Sequence, residues 1–212
     1  MDLARQPASR SRFQTHDMND ALPIVYLAGH GEIAWSFSAR HTGLTDLPLT
    51  DAGRENAIAV GRWLGGRKFS LVLASPLSRA QDTCRLAGYG DSAQVDRNLC
   101  EWDYGDYEGR TTADIRKDAP DWSLWRDGPL HGETVAQVGE RAEAVLARVQ
   151  PSEGDVALFA HGHILRILTA CWLGLPPDCG RLFALATGSV SVLGYERETR
   201  VITRWNLPVP GK

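Results

Sequence analysis

Twice in this chain a short apolar run breaks off into a histidine followed by a glycine, and that repetition narrows the possible folds more than any other feature. Ile24-Val25-Tyr26-Leu27-Ala28 ends in Gly29-His30-Gly31, and Asp155-Val156-Ala157-Leu158-Phe159-Ala160 ends in His161-Gly162-His163. Mostly apolar runs of this length, closed by turn residues, predict strands buried on both faces of a sheet. Ser70-Leu71-Val72-Leu73-Ala74 predicts a third, running into Ser75-Pro76. That pair predicts a helix start, with Ser75 as N-cap and proline at the first helical position.

Helical stripes separate the strands. Thr50 and Asp51 open one that carries Ala57, Ile58, Val60, Trp63 and Leu64 and closes at Gly65-Gly66. A second runs over 133–149 through Val135, Val138, Ala142, Val145 and Val149, and a third through Ile164, Leu165, Ile167, Leu168 and Trp172. Ser189–Gly194 and Val201–Trp205 predict a closing antiparallel pair. Strands alternating with helices predict an α/β fold: a mainly parallel central sheet with helices on both faces, a three-layer sandwich. Residues 88–131 hold Trp102, Tyr104, Tyr107, Trp122 and Trp125 among glycines, prolines and charges, and predict an aromatic excursion over one sheet edge.

Parallel sheets of this kind place ligands at the carboxyl ends of their strands. His30, Ser75 to Arg79, and His161 all fall at such ends. Glycine after each histidine lets backbone N–H groups approach a ligand closely, and Arg79 in the first turn of a helix adds to the positive end of its dipole. Together they suit a dianion such as a phosphate monoester.

Bulk properties limit the partners. A chain of 212 residues accommodates one full core, expected over 23–212, with residues 1–22 as a disordered tail. That tail has arginines at 5, 10 and 12 and no apolar stretch, so it does not read as a signal peptide. A net charge of −3 and a pI near 6.1 supply no broad basic field, which argues against nucleic acid or a membrane surface as partner. No apolar run approaches the ~18 residues of a membrane helix. Cys84, Cys100, Cys171 and Cys179 include no CxxC pair, which predicts reduced thiols, a cytoplasmic location and no zinc site. No cofactor and no metal are expected; a homo-oligomer is compatible with the sequence, which does not fix the number of chains.

Five segments, in order, resemble the histidine phosphatase (phosphoglycerate-mutase-like) family: Leu27-Ala28-Gly29-His30-Gly31-Glu32; His41-Thr42-Gly43 with Pro48-Leu49-Thr50; Ser75-Pro76-Leu77-Ser78-Arg79-Ala80; Glu101-Trp102-Asp103-Tyr104-Gly105-Asp106-Tyr107-Glu108-Gly109; and Ala160-His161-Gly162-His163. The likeness spans about residues 23–206, and the Glu-Trp-Asp-Tyr-Gly stretch is similar to the short sugar-phosphatase branch that includes sedoheptulose bisphosphatases. The resemblance implies that His30 is a nucleophile forming a phosphohistidine and Glu101 the proton donor and acceptor, a role that calls for a raised pKa. It also implies that Arg79 and His161 hold the phosphoryl oxygens, and that Ser36, Thr42, Gly43, Tyr104 and Gly162 lie against phosphate or substrate. The implied substrate is a small phosphorylated metabolite, a sugar phosphate or an acid phosphate.

The sequence departs from the family at one telling place. The family motif is Arg-His-Gly-Glu followed by Thr or Ser, whereas here Gly29 precedes the histidine and Ile33 follows Glu32. Losing a preorganised charged donor costs ~10²–10³ in rate. Three readings stay open: a slow phosphatase, with Arg40 or Arg166 as nominal replacements; an introduced substitution; or a degenerate member that binds a phosphorylated ligand or partner protein. The retained His30, Glu101, Arg79 and His161 favour catalysis. His131-Gly132-Glu133-Thr134 repeats the bare motif but follows a turn, and is assigned to helix initiation with Glu133 in the first turn. The modest stretch between Glu101 and His161 favours phosphatase over mutase, since a short cover admits water.

Overall fold

The computed structural model describes residues 22–209, so all but the last residue of the expected tail lies outside the described residues. Six strands form one sheet in the order β3-β2-β4-β1-β5-β6: β1 (Val25–Gly29), β2 (Leu71–Ala74), β3 (Ala93–Val95), β4 (Val156–Ala160), β5 (Val190–Glu196) and β6 (Thr199–Leu207). The first four run parallel, and β5 and β6 close one side as an antiparallel hairpin.

Alternation along the strands divides the core into two layers. Val25, Leu27, Leu73, Val156, Leu158 and Leu193 face α5 (Val135–Val149) and α6 (Gly162–Trp172). Tyr26, Ala28, Val72, Ala74, Ala157, Phe159 and Val192 face α1 (Asp51–Leu64) and α2 (Ser78–Leu86). Because β1 and β4 are covered on both faces, every residue in them is buried, which is why they read as continuous apolar runs. The three-layer α/β arrangement expected from the sequence is the one observed.

Local chemistry explains the helix ends, with two corrections. Thr50 caps α1 by accepting the Gly53 N–H, and Thr134 caps α5 in a reciprocal capping box with Gln137. Glu133 therefore precedes α5 instead of lying in its first turn. Ser75 is not an N-cap either: α2 starts at Ser78 with Leu77 at the cap position and no side-chain cap, and the Ser75 hydroxyl accepts the Leu77 N–H ahead of the helix.

The aromatic excursion also differs from expectation. It contributes the edge strand β3 and the helices α3 (Thr112–Asp118) and α4 (Leu124–Asp127). Trp102, Tyr104, Ile115 and Trp122 are buried in the same layer as α5 and α6, so the segment thickens the core instead of lying over an edge.

Candidate active site

Sheet register sets the first two site residues side by side. Gly29 on β1 pairs with Ala160 on β4, so the residues that follow, His30 and His161, emerge together, with ring centroids 5.2 Å apart. The loop after His30 passes so close to α1 that a Cβ on Gly31 would collide with the Gly53 carbonyl. Only glycine fits there.

Hydrogen bonds fix both tautomers. His30 Nδ1 lies 2.7 Å from the Gly31 carbonyl; a carbonyl only accepts, so Nδ1 carries the proton and Nε2 keeps its lone pair. Burial, reinforced by the Arg79 charge, holds the His30 pKa down at about 4. His30 is thus neutral across the physiological range, with Nε2 unprotonated. In His161, Nδ1 accepts from Arg79 Nε at 3.1 Å, leaving Nε2–H to donate to the Ser75 hydroxyl at 2.7 Å. Burial and the same Arg79 charge push its pKa well below the usual histidine value.

Arg79 is held on several sides. It is fully buried, and four of its five N–H donors are engaged, by His161 and by the carbonyls of Thr42, Gly43 and Thr45. Neither Arg79 nor His161 lines the cavity in front of His30. In this structure Arg79 is a charge behind the two histidines and a clamp on the 42–45 loop.

Glu101 is buried on the same cavity. Its Oε1 accepts the N–H groups of Trp102 (2.9 Å) and Ile164 (3.0 Å), and Oε2 that of His163 (3.0 Å). Two of these donors open α6, where the helix dipole also favours an anion. Burial alone would raise the Glu101 pKa, but hydrogen bonding from His163 at the start of α6 overcomes it and holds the carboxylate well below its usual range. The expected raised pKa is therefore overturned: the first turn of α6 is an anion cradle.

The cavity measures about 320 Å³ and is lined by His30, Ser36, Thr42, Glu101, Tyr104 and Gly162 among others. Ser36 Oγ accepts the Ile33 N–H, which leaves its hydroxyl hydrogen for a ligand. The Thr42 hydroxyl donates to the Arg40 carbonyl at 3.2 Å. Gly162 makes no N–H hydrogen bond among the described residues. Burial, with the Glu101 and Glu108 charges, raises the Tyr104 pKa well above the usual phenol value, and its hydroxyl lies 2.7 Å from His163 Nδ1. Gly43 stands apart: its N–H donates to Glu108 at 2.8 Å, and it is absent from the cavity wall.

The same wall contains residues to which the sequence reading gave no role: Trp35, His41, His163, Leu185 and Thr187. His163 could have been found from its place in His-Gly-His, and His41 from its place beside Thr42. Leu185 and Thr187 come from the approach to β5 and carry no sequence signal. Four of the chain's six histidines thus gather at the site. Arg40 also lines the cavity, its guanidinium 5.8 Å from the Trp35 ring centroid. Arg166 does not; it stacks on Trp125 at 4.7 Å and donates to the Gly180 carbonyl, a packing role.

Beside Gly29 lies a second space of about 40 Å³, bordered by His30, Gly162, Leu185, Ala186 and Thr187. A Cβ on Gly29 would come no nearer than 3.4 Å to any other atom outside its neighbours. The absence of a side chain here is not imposed by the fold.

Comparisons with known proteins agree with this geometry. Residues 25–208 match the Histidine phosphatase superfamily (branch 1). The chain is 43% identical over 180 residues to an acid phosphatase of Mycobacterium tuberculosis, covering 83% of this chain and 88% of that protein. It is 37% identical over 191 residues to the sedoheptulose 1,7-bisphosphatase of Saccharomyces cerevisiae, covering 74% and 70% respectively. The solved structure of an open reading frame from Mycobacterium tuberculosis superposes with a TM-score of 0.83 at 40% identity, covering 89% of this chain and 99% of that one. With the two histidines, the buried carboxylate and the three-layer fold in place, the chain belongs to the histidine phosphatase superfamily.

Proposed function

We propose that this chain hydrolyses small phosphomonoesters, sugar phosphates by class, through a phosphohistidine at His30. The observation that carries the reading is the His30 tautomer: Nδ1–H is tied to the Gly31 carbonyl, and the lone pair on Nε2 is held neutral and available for attack on phosphorus. In the first step the N–P bond forms, the bond from phosphorus to the leaving oxygen breaks, and Glu101 gives that oxygen a proton. In the second, water attacks phosphorus, the N–P bond breaks, and Glu101 takes the water proton.

The low Glu101 pKa makes proton supply part of the mechanism. A carboxylate cradled by three N–H groups arrives at the reaction ionised. The proton must come in with the substrate: the monoanion of a phosphomonoester, whose second pKa is ~6, carries it, and it passes by way of Glu101 to the leaving oxygen only as the P–O bond breaks and that oxygen turns basic. Ser36 and Gly162 donate to the phosphoryl oxygens, while Arg79 supplies positive potential from behind the histidines. The cavity of about 320 Å³ suits a metabolite rather than a macromolecule. The bisphosphatase relative supports a sugar phosphate. The cytoplasm is the compartment proposed, on the four free cysteines.

A second reading rests on one observation. Residue 29 has no side chain and four donors of Arg79 are engaged, an arrangement that also fits a phospholigand binder with little turnover. Metal-free assays on an aryl phosphate and a sugar-phosphate panel, with phosphoryl trapping on protein, separate the two. Turnover and an acid-labile phosphoryl label, both lost in His30→Ala, are expected. Ligand binding with neither turnover nor label would sink the phosphatase reading.

A further inference from the structure

Glu101 lies in a segment that, past a short turn at Arg97–Leu99, has no regular structure until Gly105. The sheet does not place it. An ion pair leading into α5 does. Arg141 uses all five of its N–H donors: Nε and Nη2 on the two Glu133 oxygens (2.8 and 2.7 Å), Nη1 on the carbonyls of Asn98 and Cys100 (2.8 Å each), and Nη2 again on the Glu101 carbonyl (3.3 Å). Glu133 completes the grip: its Oε2 accepts the Asp103 N–H (3.0 Å), its carbonyl accepts the Trp102 indole N–H (2.7 Å), and its own N–H donates to the Asp103 carbonyl (3.0 Å). The residues flanking the acid on both sides are therefore tied to one pair of side chains. Both are largely buried, at 17% and 23% exposure, and neither lines the cavity.

We infer that Arg141 and Glu133 are positioning residues for proton transfer by Glu101. They hold the segment against the first turn of α6, so that protonation of the leaving group depends on them while substrate binding does not. A proton donor works only within about 2.6–3.2 Å of its target, and a misplacement of about 1 Å can cost ~10² in rate. Lysine cannot replace the guanidinium, because its three donors do not reproduce a planar fork that spans two carboxylate oxygens and three carbonyls. This inference rests on the phosphatase reading above.

Leaving-group dependence tests it. An aryl phosphate with an acidic phenol departs with little help, whereas an alkyl phosphate needs the proton. Arg141→Met, Arg141→Lys and Glu133→Gln are compared with Glu101→Gln on both substrates. The expected loss in kcat is ~10²-fold on the alkyl phosphate, the scale of general acid catalysis, with little loss on the aryl phosphate and KM nearly unchanged. Combined with Glu101→Gln, none should cost more on the alkyl phosphate. Equal losses on both substrates, or a further loss in the double variants, would overturn the inference, since that is what general loosening produces. If Arg141→Met does not fold, Glu133→Gln decides on the same criteria, because it keeps the shape while removing the charge and one of the two acceptor oxygens. A wild-type chain silent on both substrates overturns the phosphatase reading itself, and this inference with it.

Discussion

His30 and Glu101 border the same cavity, yet one is placed by backbone and the other by side chains. His30, the proposed nucleophile, follows β1 directly, and its position comes from the pairing of Gly29 with Ala160. Glu101, the proposed acid, sits in an irregular segment held from one side by the N–H groups of α6 and from the other by Arg141 and Glu133. Their surroundings differ in completeness too. Around Glu101 the polar groups find partners, whereas beside His30 a space of about 40 Å³ borders a residue with no side chain. In the proposed reaction the acid side is thus fully partnered, while the nucleophile side borders an open space.

Gly29→Arg is the strongest way to break that comparison. The backbone admits a Cβ at ordinary contact distance, and the added guanidinium would reach the space beside His30. The expected result is a rise in kcat/KM of ~10²-fold, the scale of one preorganised donor. No rise would mean that the acid side, not the nucleophile side, limits the rate.

Acid titration sharpens the same contrast. His30 and His41 have pKa values pushed down by burial to about 4. For a histidine buried neutral, the unfolded chain binds the proton more readily, so the stability it contributes is complete above the unfolded value of ~6.5 and is lost as pH falls towards the folded value. Glu101, also depressed, loses its contribution only lower, below the ordinary carboxylate range. Thermal melts should therefore show Tm falling from about pH 6.5 downward. A Tm flat to pH 4 would contradict the burial of the histidines. Activity should persist in mild acid and decline above the substrate's second pKa of ~6, where the incoming proton disappears.

The smallest effect comes from the helix that carries Arg141. Thr134→Ala removes one half of the capping box of α5 and should cost about 1 kcal/mol, read by denaturant unfolding, with the leaving-group dependence unchanged. A changed dependence would show that the grip on Glu101 relies on the end of α5 as well as on Arg141.

The sheet-built half of the site was legible in the sequence because its signal is local. An apolar run followed by His-Gly reports a strand end, and His30, His161 and Arg79 are legible from such ends alone; Glu101 comes with the family motifs. The direction of the Glu101 pKa was not legible, since it depends on N–H groups that arrive from α6, more than sixty residues later. The engagement of the Arg79 donors was not legible for a similar reason: the carbonyls that take them belong to the 42–45 loop, and no pattern in either segment announces the meeting. Ser75 looked like a cap because Ser-Pro often is one; the buried Nε2–H of His161 claims its hydroxyl.

The pairing of β1 with β4 has a consequence for how this protein tolerates change. Neighbouring strands stand ~4.8 Å apart whatever side chains they carry, and the two imidazoles, 5.2 Å apart, inherit their spacing from that lattice. Side chains around them can therefore diverge widely while the spacing survives. A one-residue insertion or deletion within either strand is a different matter: with a side-chain period of two, it turns the whole strand over and sends one histidine to the wrong layer.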